Sequence, residues 1–308
     1  MTDAWLHSRL ADIERLATEL PGTELQSMLL EVLRRRARAR TPRDVLAQYE
    51  RDAFCALGLV DQRVSTAIDA HLLAACAEFE ALELSPLAPL GTCSSVALTD
   101  QNRVVSALRG TEVVSDPTNV LALECARRLR AAPGRAVHLA TSHRVVRAQP
   151  VPKRPSHSQH FRLFALASGG REAKDHAFTV EAVLLHIRSM LGALDRLEQH
   201  GYAFGARRVT LLTTAERRRV ADRVAPQLPC DVSCEPLEHA YYSGLRYQIW
   251  LTPSTGAPPV PAIDGGCFDW LTKIAHNGRL VYVASGAGSQ LIPLLFDSNA
   301  AQRGTNAS

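Results

Sequence analysis

Tyr241 and Tyr242 stand side by side ahead of Ser243-Gly244, and two neighbouring phenol rings can enclose a flat side chain. Further along, Gly265 and Gly266 mark a place where the backbone passes close to something, with Phe268 and Asp269 at the start of a following helix. Asp116 and Thr118 flank Pro117 ahead of the apolar run Leu121–Leu129. A carboxylate and a hydroxyl at a helix N-terminus can hold an ammonium group, and they can equally be a helix cap. Arg147 and Gln149 precede a loop at 150–158 that carries Lys153 and Arg154, cations suited to a phosphate. Arg147 also fits an ordinary sheet-edge position. Gly286-Ala287-Gly288, after the buried-strand pattern Arg279–Ala284, could offer backbone amides to a phosphate, with Gln290 close behind. Cys267 follows two glycines at a helix start, where a thiol pKa tends to fall, and His239 and His276 are candidate bases for it.

Elements that must position these residues are legible from periodicity. The apolar positions of residues 1–80 fall at helical spacing, with Pro21-Gly22 as a break and Thr41-Pro42-Arg43-Asp44 as a helix start carrying a cap, a first-turn proline and an acid. The second helix ends in Arg34, Arg35, Arg36, Arg38 and Arg40. These cations read as a solvated helix C-terminus or as a polyanion patch, and no aromatic residue is interleaved as a stacking platform. Glu238–Leu251 has the β-formers of a central strand covered on both faces. Phe178–Leu197 is an apolar helix stopped by Gly201.

The chain has 308 residues, 46% apolar and 21% charged, which suits a folded globular protein and excludes the disorder class. A net charge of +4 is too small to argue for nucleic acid. Seven scattered cysteines, an odd number, read as the reduced thiols of a cytoplasmic protein. Cys230 and Cys234 are the only close pair, and without a second pair no metal site is expected. The polar N-terminus is unlike a signal peptide, and no run is expected to reach the roughly 20 apolar residues of a membrane span.

Tyr241-Tyr242-Ser243-Gly244 with Tyr247-Gln248 resembles the Tyr-Tyr-Thr-Gly-x-x-Phe-Glu strand of the histidyl-tRNA synthetase catalytic core. Gly265-Gly266-Cys267-Phe268-Asp269-Trp270-Leu271 is similar to that family's Gly-Gly-Arg-Tyr-Asp-x-Leu. The resemblance extends in order over residues 64–296. Asp116 and Thr118 match its amino-group-binding element, Arg147 its phosphate-gripping Arg, and Gly286–Gln290 its third motif. It implies an α+β fold, a class II synthetase-like antiparallel sheet flanked by helices. The core would occupy 64–171 and 237–296, with a helical N-terminal extension at 1–63, an α/β insertion at 172–236 and a tail at 297–308. A homodimer joined through the helix and proline-containing strand of 64–91 is also implied.

That family's chemistry is ATP-dependent activation of an amino-acid carboxylate, in which cations offset charge growing on the α-phosphate. Here Gln149 and His160 stand where the second motif has Glu, Cys267 and Leu237 stand where Arg is expected, and the adenine-stacking Arg is missing. No anticodon-binding domain is expected after the core. The expectation is therefore a degenerate synthetase-like protein that does not charge tRNA. It would bind an amino acid or similar small molecule through Asp116, Thr118, Arg147, Gln149, Tyr241, Tyr242, Gly265 and Gly266. It would serve as a regulatory or binding subunit, as the histidyl-like regulatory subunit of ATP phosphoribosyltransferase does, with a hetero-partner possible. The alternative is an ATP-dependent ligase or transferase with a non-tRNA acceptor, using ATP and magnesium through Arg147, Lys153, Arg154 and Gln290. A third class is an RNA binder using the Arg34–Arg43 cluster, recognisable by steep salt dependence.

Overall fold

The computed structural model describes residues 2–150, 157–238, 241–254 and 256–298. The chain begins with α1 (Thr2–His7), α2 (Leu10–Thr18), α3 (Gly22–Arg38) and α4 (Pro42–Arg51). The expected start of α4 is a full capping box: Thr41 accepts from the Asp44 amide, and the Asp44 carboxylate accepts from the Thr41 amide. No residue of α2, α3 or α4 is buried.

The body follows with α5 (Gln62–Ala75), β1 (Glu80–Ala81), β2 (Leu87–Pro89), β3 (Ser106–Ala107), β4 (Thr111–Val113), α6 (Pro117–Ala131), β5 (Val137–Val146) and β6 (His160–Arg171). Then come α7 (Ala177–Glu198), β7 (Arg207–Thr213), α8 (Arg218–Val224), β8 (Asp231–Pro236), β9 (Leu245–Leu251), β10 (Val260–Phe268), α9 (Trp270–Ala275), β11 (Leu280–Ala287) and α10 (Leu291–Leu295). Eight strands form one sheet in the order β1-β5-β6-β11-β10-β9-β7-β8. Its six central strands are antiparallel, and parallel pairs close both edges, β1 on β5 and β8 on β7. The expected α+β sheet is present, with mixed rather than purely antiparallel pairing.

Residues 172–236 do not stand apart as an inserted unit. β7 pairs with β9 along its whole length, and α7 lies across the back of the same sheet, where Val183, Ile187, Met190, Leu194 and Leu197 join the largest core. Each fully buried side chain of this size contributes about 1.5–3 kcal/mol. The segment Lys174–Glu198 is, contrary to expectation, long and apolar enough by composition to cross a membrane, and 67% of that window is buried inside the protein. Its hydrophobicity is spent on the sheet. On the front face, α6 and α9 cover a second core that includes Leu121, Cys125, Phe268, Trp270, Leu271 and Tyr282.

β10 alternates between these two faces, as a strand must. Asp264 and Phe268 face the front, while Cys267 packs in the back core. A Cβ on Gly265 would come 2.6 Å from Ser285 Cβ and from the Tyr247 ring, and one on Gly266 would overlap the Leu245 carbonyl oxygen. The two glycines therefore lie inside a strand crowded from both sides rather than in a loop. The expected strand at Glu238–Leu251 begins only at Leu245, because Gly244 turns the chain with φ +80°. Residues 239 and 240 lie outside the described part, and His239 with them.

Candidate ligand-binding site

Asp116 caps α6: its carboxylate accepts from the Thr118 amide at 3.0 Å and from the Thr118 hydroxyl at 2.7 Å. Both readings of this turn hold together, since Asp116 and Thr118 also line a front-face cavity of about 350 Å³. The turn is pinned from beneath by the buried Tyr282, whose hydroxyl donates to the Thr118 carbonyl at 2.6 Å. Arg147 leaves the end of β5 and donates through Nε to the Ser115 carbonyl at 3.2 Å. Its Nη2 lies 3.6 Å from Asp116, and its guanidinium stacks 5.1 Å from the Phe161 ring centre. Arg147 is thus a cavity residue and not a bystander at a sheet edge.

The opposite wall holds a group that the sequence reading missed. Arg246 on β9 forks onto Asp264 on β10, with Nε to Oδ1 at 3.0 Å, and the Tyr242 hydroxyl donates to the same Oδ1 at 2.9 Å. The Asp264 bond raises the Arg246 pKa, while burial and then Asp264 raise that of Tyr242, so both keep their protons. Residue type gave no warning, but strand parity did: Asp264 lies two positions before Gly266, on the same face. Tyr241 meets Tyr242 edge-on at 5.1 Å and Phe268 at 5.4 Å. The result is a small cavity with carboxylates at Asp116 and Asp264, each next to an Arg, and an aromatic side wall.

A second cavity of about 490 Å³ adjoins the first and shares Asp116, Arg147 and Tyr241 with it. Gln149 lines this one, with Arg103 and Asn119. Asn119 is 2% exposed, and its Oδ1 has no partner among the described residues. The sequence-derived residues Asp116, Thr118, Arg147, Gln149, Tyr241, Tyr242 and Gly265 are therefore brought to one region. Gly266 sits beneath Tyr242, supporting the ring. Gln290 is 5% exposed and lines neither cavity, its amide lying 3.4 Å from Ser158. Lys153 and Arg154 fall outside the described residues.

Two other expectations are corrected. Cys267 is not at a helix start: it is 2% exposed in β10 on the back face, and burial pushes its thiol up to about 12, which removes it as a nucleophile. His276 is exposed at the far end of α9. The Gly286–Gly288 segment ends β11 and leads into a helix of five residues, and Gly286 lines the front-face cavity. His160 is held between Arg144 Nη1 at 2.9 Å and the Ala56 carbonyl at 2.6 Å, away from both cavities. All seven cysteines are free thiols, and among the described residues no group of three His, Cys, Asp or Glu could hold a metal. Among the described residues Arg147 and Arg103 are the cations lining the two cavities, Arg147 beside Asp116, with Asp100, Asp116 and Asp264 as their carboxylates.

No protein-family model matches the chain, and no curated protein matches it in sequence. Solved structures do. An ATP phosphoribosyltransferase regulatory subunit/histidyl-tRNA synthetase from Bacillus halodurans is similar at TM-score 0.55 and 12% identity, over 78% of this chain and 81% of that one. The histidyl-tRNA synthetase of a Nostoc species gives 0.58 and 11%, over 86% and 76%. A putative threonyl-tRNA synthetase from Aeropyrum pernix gives 0.58 and 12%, over 78% and 60%. At these identities the likeness is one of backbone, and the backbone of this chain is the α+β fold of a class II aminoacyl-tRNA synthetase core, as its histidyl- and threonyl-type neighbours share it.

Proposed function

We propose that this protein is a synthetase-like chain without tRNA-charging activity that binds an amino acid or a similar small zwitterion in the front-face cavity. The observation that carries the reading is the placement of Asp116 and Asp264 around one small cavity walled by Tyr241, Tyr242 and Phe268. Two carboxylates with tyrosine hydroxyls favour an ammonium group, and the rings favour a flat side chain. Arg147 supplies a positive end for a carboxylate. The absence of charging is supported by what stands at the nucleotide positions: an inert buried Cys267 and a Gln290 turned away from the cavities.

A regulatory or binding role follows from a pocket that recognises without reactive groups, and one structural neighbour bears the name of a regulatory subunit. The same reading carries a cytoplasmic homodimer, with or without a second protein. Isothermal titration with histidine and the other amino acids tests it. The expected result is binding of at least one of them that disappears in Asp264→Asn, together with no amino-acid-dependent pyrophosphate exchange. Exchange abolished by Arg147→Ala would replace this reading with the ligase alternative, and no binding by the folded protein would overturn it.

A further inference from the structure

A chain of polar side chains crosses the back of the sheet from its edge to its middle. His138 and Ser168 stand opposite one another on β5 and β6, and His138 Nδ1 lies 2.7 Å from the Ser168 hydroxyl. That hydroxyl lies 2.9 Å from Nε2 of His186 on α7, whose Nδ1 lies 2.8 Å from the Ser285 hydroxyl on β11. Ser168 and His186 are fully buried. The Phe79 ring meets both imidazoles edge-on, 5.8 Å from His138 and 5.2 Å from His186.

The two ends of this chain have different surroundings. His138 is half-buried and opens on two cavities of about 520 and 620 Å³, which share Glu78, Ala136 and the imidazole itself. The charged groups around it are Glu78 and Glu80, then Arg127, Arg128 and Arg135 on α6 and in the turn beyond it, and Glu181 and Arg188 on α7. At the other end, Ser285 Cβ and the Tyr247 hydroxyl oxygen each lie 2.6 Å from where a Gly265 Cβ would stand, and Gly265 and Ser285 line the front-face cavity.

Proton counting limits the chain to two states. A serine hydroxyl donates once, and a neutral imidazole donates from one nitrogen and accepts at the other. With no buried donor left idle, all the hydrogen bonds run one way, from Ser285 through His186 and Ser168 to His138, or all run the other way. A neutral His138 with its proton on Nε2, toward Glu78, accepts from Ser168 at Nδ1 and selects the first direction. An imidazolium carries N–H on both nitrogens, so Nδ1 must donate to Ser168. Ser168 then donates to His186 Nε2, and the one proton of His186 must sit on Nδ1. Burial lowers the pKa of both imidazoles, that of His186 to about 3, so an arriving proton rests on His138. In the tally the chain gains one proton, held by His138, while His186 and each serine keep one apiece.

We propose that His138, Ser168, His186 and Ser285 form a two-state relay, in which a proton taken up by His138 at the sheet edge reverses every hydrogen bond as far as Ser285. In the reversed state the Ser285 hydroxyl turns away from His186 and toward Tyr247, behind the front-face cavity. The relay stands whether or not that cavity binds an amino acid.

Long-range proton–nitrogen NMR of the full chain carrying isotope-labelled histidine reads the tautomer of each ring, with His138→Gln and His186→Gln assigning the signals. As the pH of the wild type is lowered from about 8 to about 4, His138 should gain a proton. His186 should stay neutral and exchange its protonated and bare nitrogens, with the same midpoint as His138. In His138→Gln, which cannot take up the proton, His186 should keep one tautomer throughout. Ser168→Ala removes only a hydroxyl, and there His138 should titrate while the His186 tautomer stays fixed. The wild-type titration decides the matter even if a variant folds poorly. A His138 that stays neutral, or a His186 that already carries its proton on Nδ1 at about pH 8, would overturn the proposal. So would a His186 tautomer that ignores the His138 titration, that becomes charged along with it, or that still changes in His138→Gln.

Discussion

The two faces of the central sheet use polar residues in opposite ways. On the back face, His186 of α7 is fully buried and bonded on both ring nitrogens, Nδ1 to Ser285 at 2.8 Å and Nε2 to Ser168 at 2.9 Å, with His138 continuing the chain at 2.7 Å from Ser168. Each member of this His138–Ser168–His186–Ser285 chain has a partner of its own, and burial holds His186 neutral, its pKa pressed down to about 3. On the front face the polar groups are charged, half-buried and turned toward open cavities, as with Asp116, Arg147 and Asp264, the last held by Arg246. A polar residue closed into a satisfied network holds the fold together. One that is paired but left facing a cavity is available to a ligand.

Gly266→Ala breaks this contrast most severely, because its Cβ would overlap the Leu245 carbonyl and press on Tyr242 at 2.7 Å, disturbing strand pairing and cavity wall together. A loss of about 3 kcal/mol or more is expected in urea unfolding. Back-face burial is next. Because the His186 pKa is lower folded than unfolded, the unfolded chain binds the extra proton. Its contribution is therefore intact above the unfolded pKa near 6.5 and is lost as pH falls toward about 3, at roughly 1.4 kcal/mol per pH unit. The slope of stability against pH should be shallower in His186→Gln, and an unchanged slope would assign it to other groups.

Asp264→Asn isolates the front face. It removes the charge partner of Arg246 at a half-exposed site, so about 1–2 kcal/mol of stability is expected to go, along with ligand affinity. Asp116→Ala loses a helix cap worth about 1 kcal/mol, again with affinity. The smallest effect separates the faces most clearly. Cys267→Ser should leave ligand binding unchanged, and native-state alkylation read by mass spectrometry should label Cys55 and Cys234 while sparing Cys267.

Much of this was legible before any coordinates. The Asp116-Pro117-Thr118 cap, the Thr41 capping box and the apolar helix through Ile187 and Leu194 each follow from local chemistry that a few adjacent residues settle. The order of the front-face residues along the chain was also enough to anticipate a synthetase-like core. Cys267, read as a helix-start thiol, and Asp264, passed over, are the instructive failures. They sit three apart on one strand, and only strand parity decides that one faces the back core and the other the cavity.

Sequence alone determined most of the helices, the caps at Thr41 and Asp116 and which residues carry charge, because those properties depend on neighbours a few positions away. The tertiary structure decided that 172–236 belongs to the sheet, that Arg246 meets Asp264, that Gln290 turns inward and that the N-terminal helices keep their apolar faces uncovered. Those outcomes depend on which strands pair and in what register, and a side chain's role changes with the face on which that pairing leaves it.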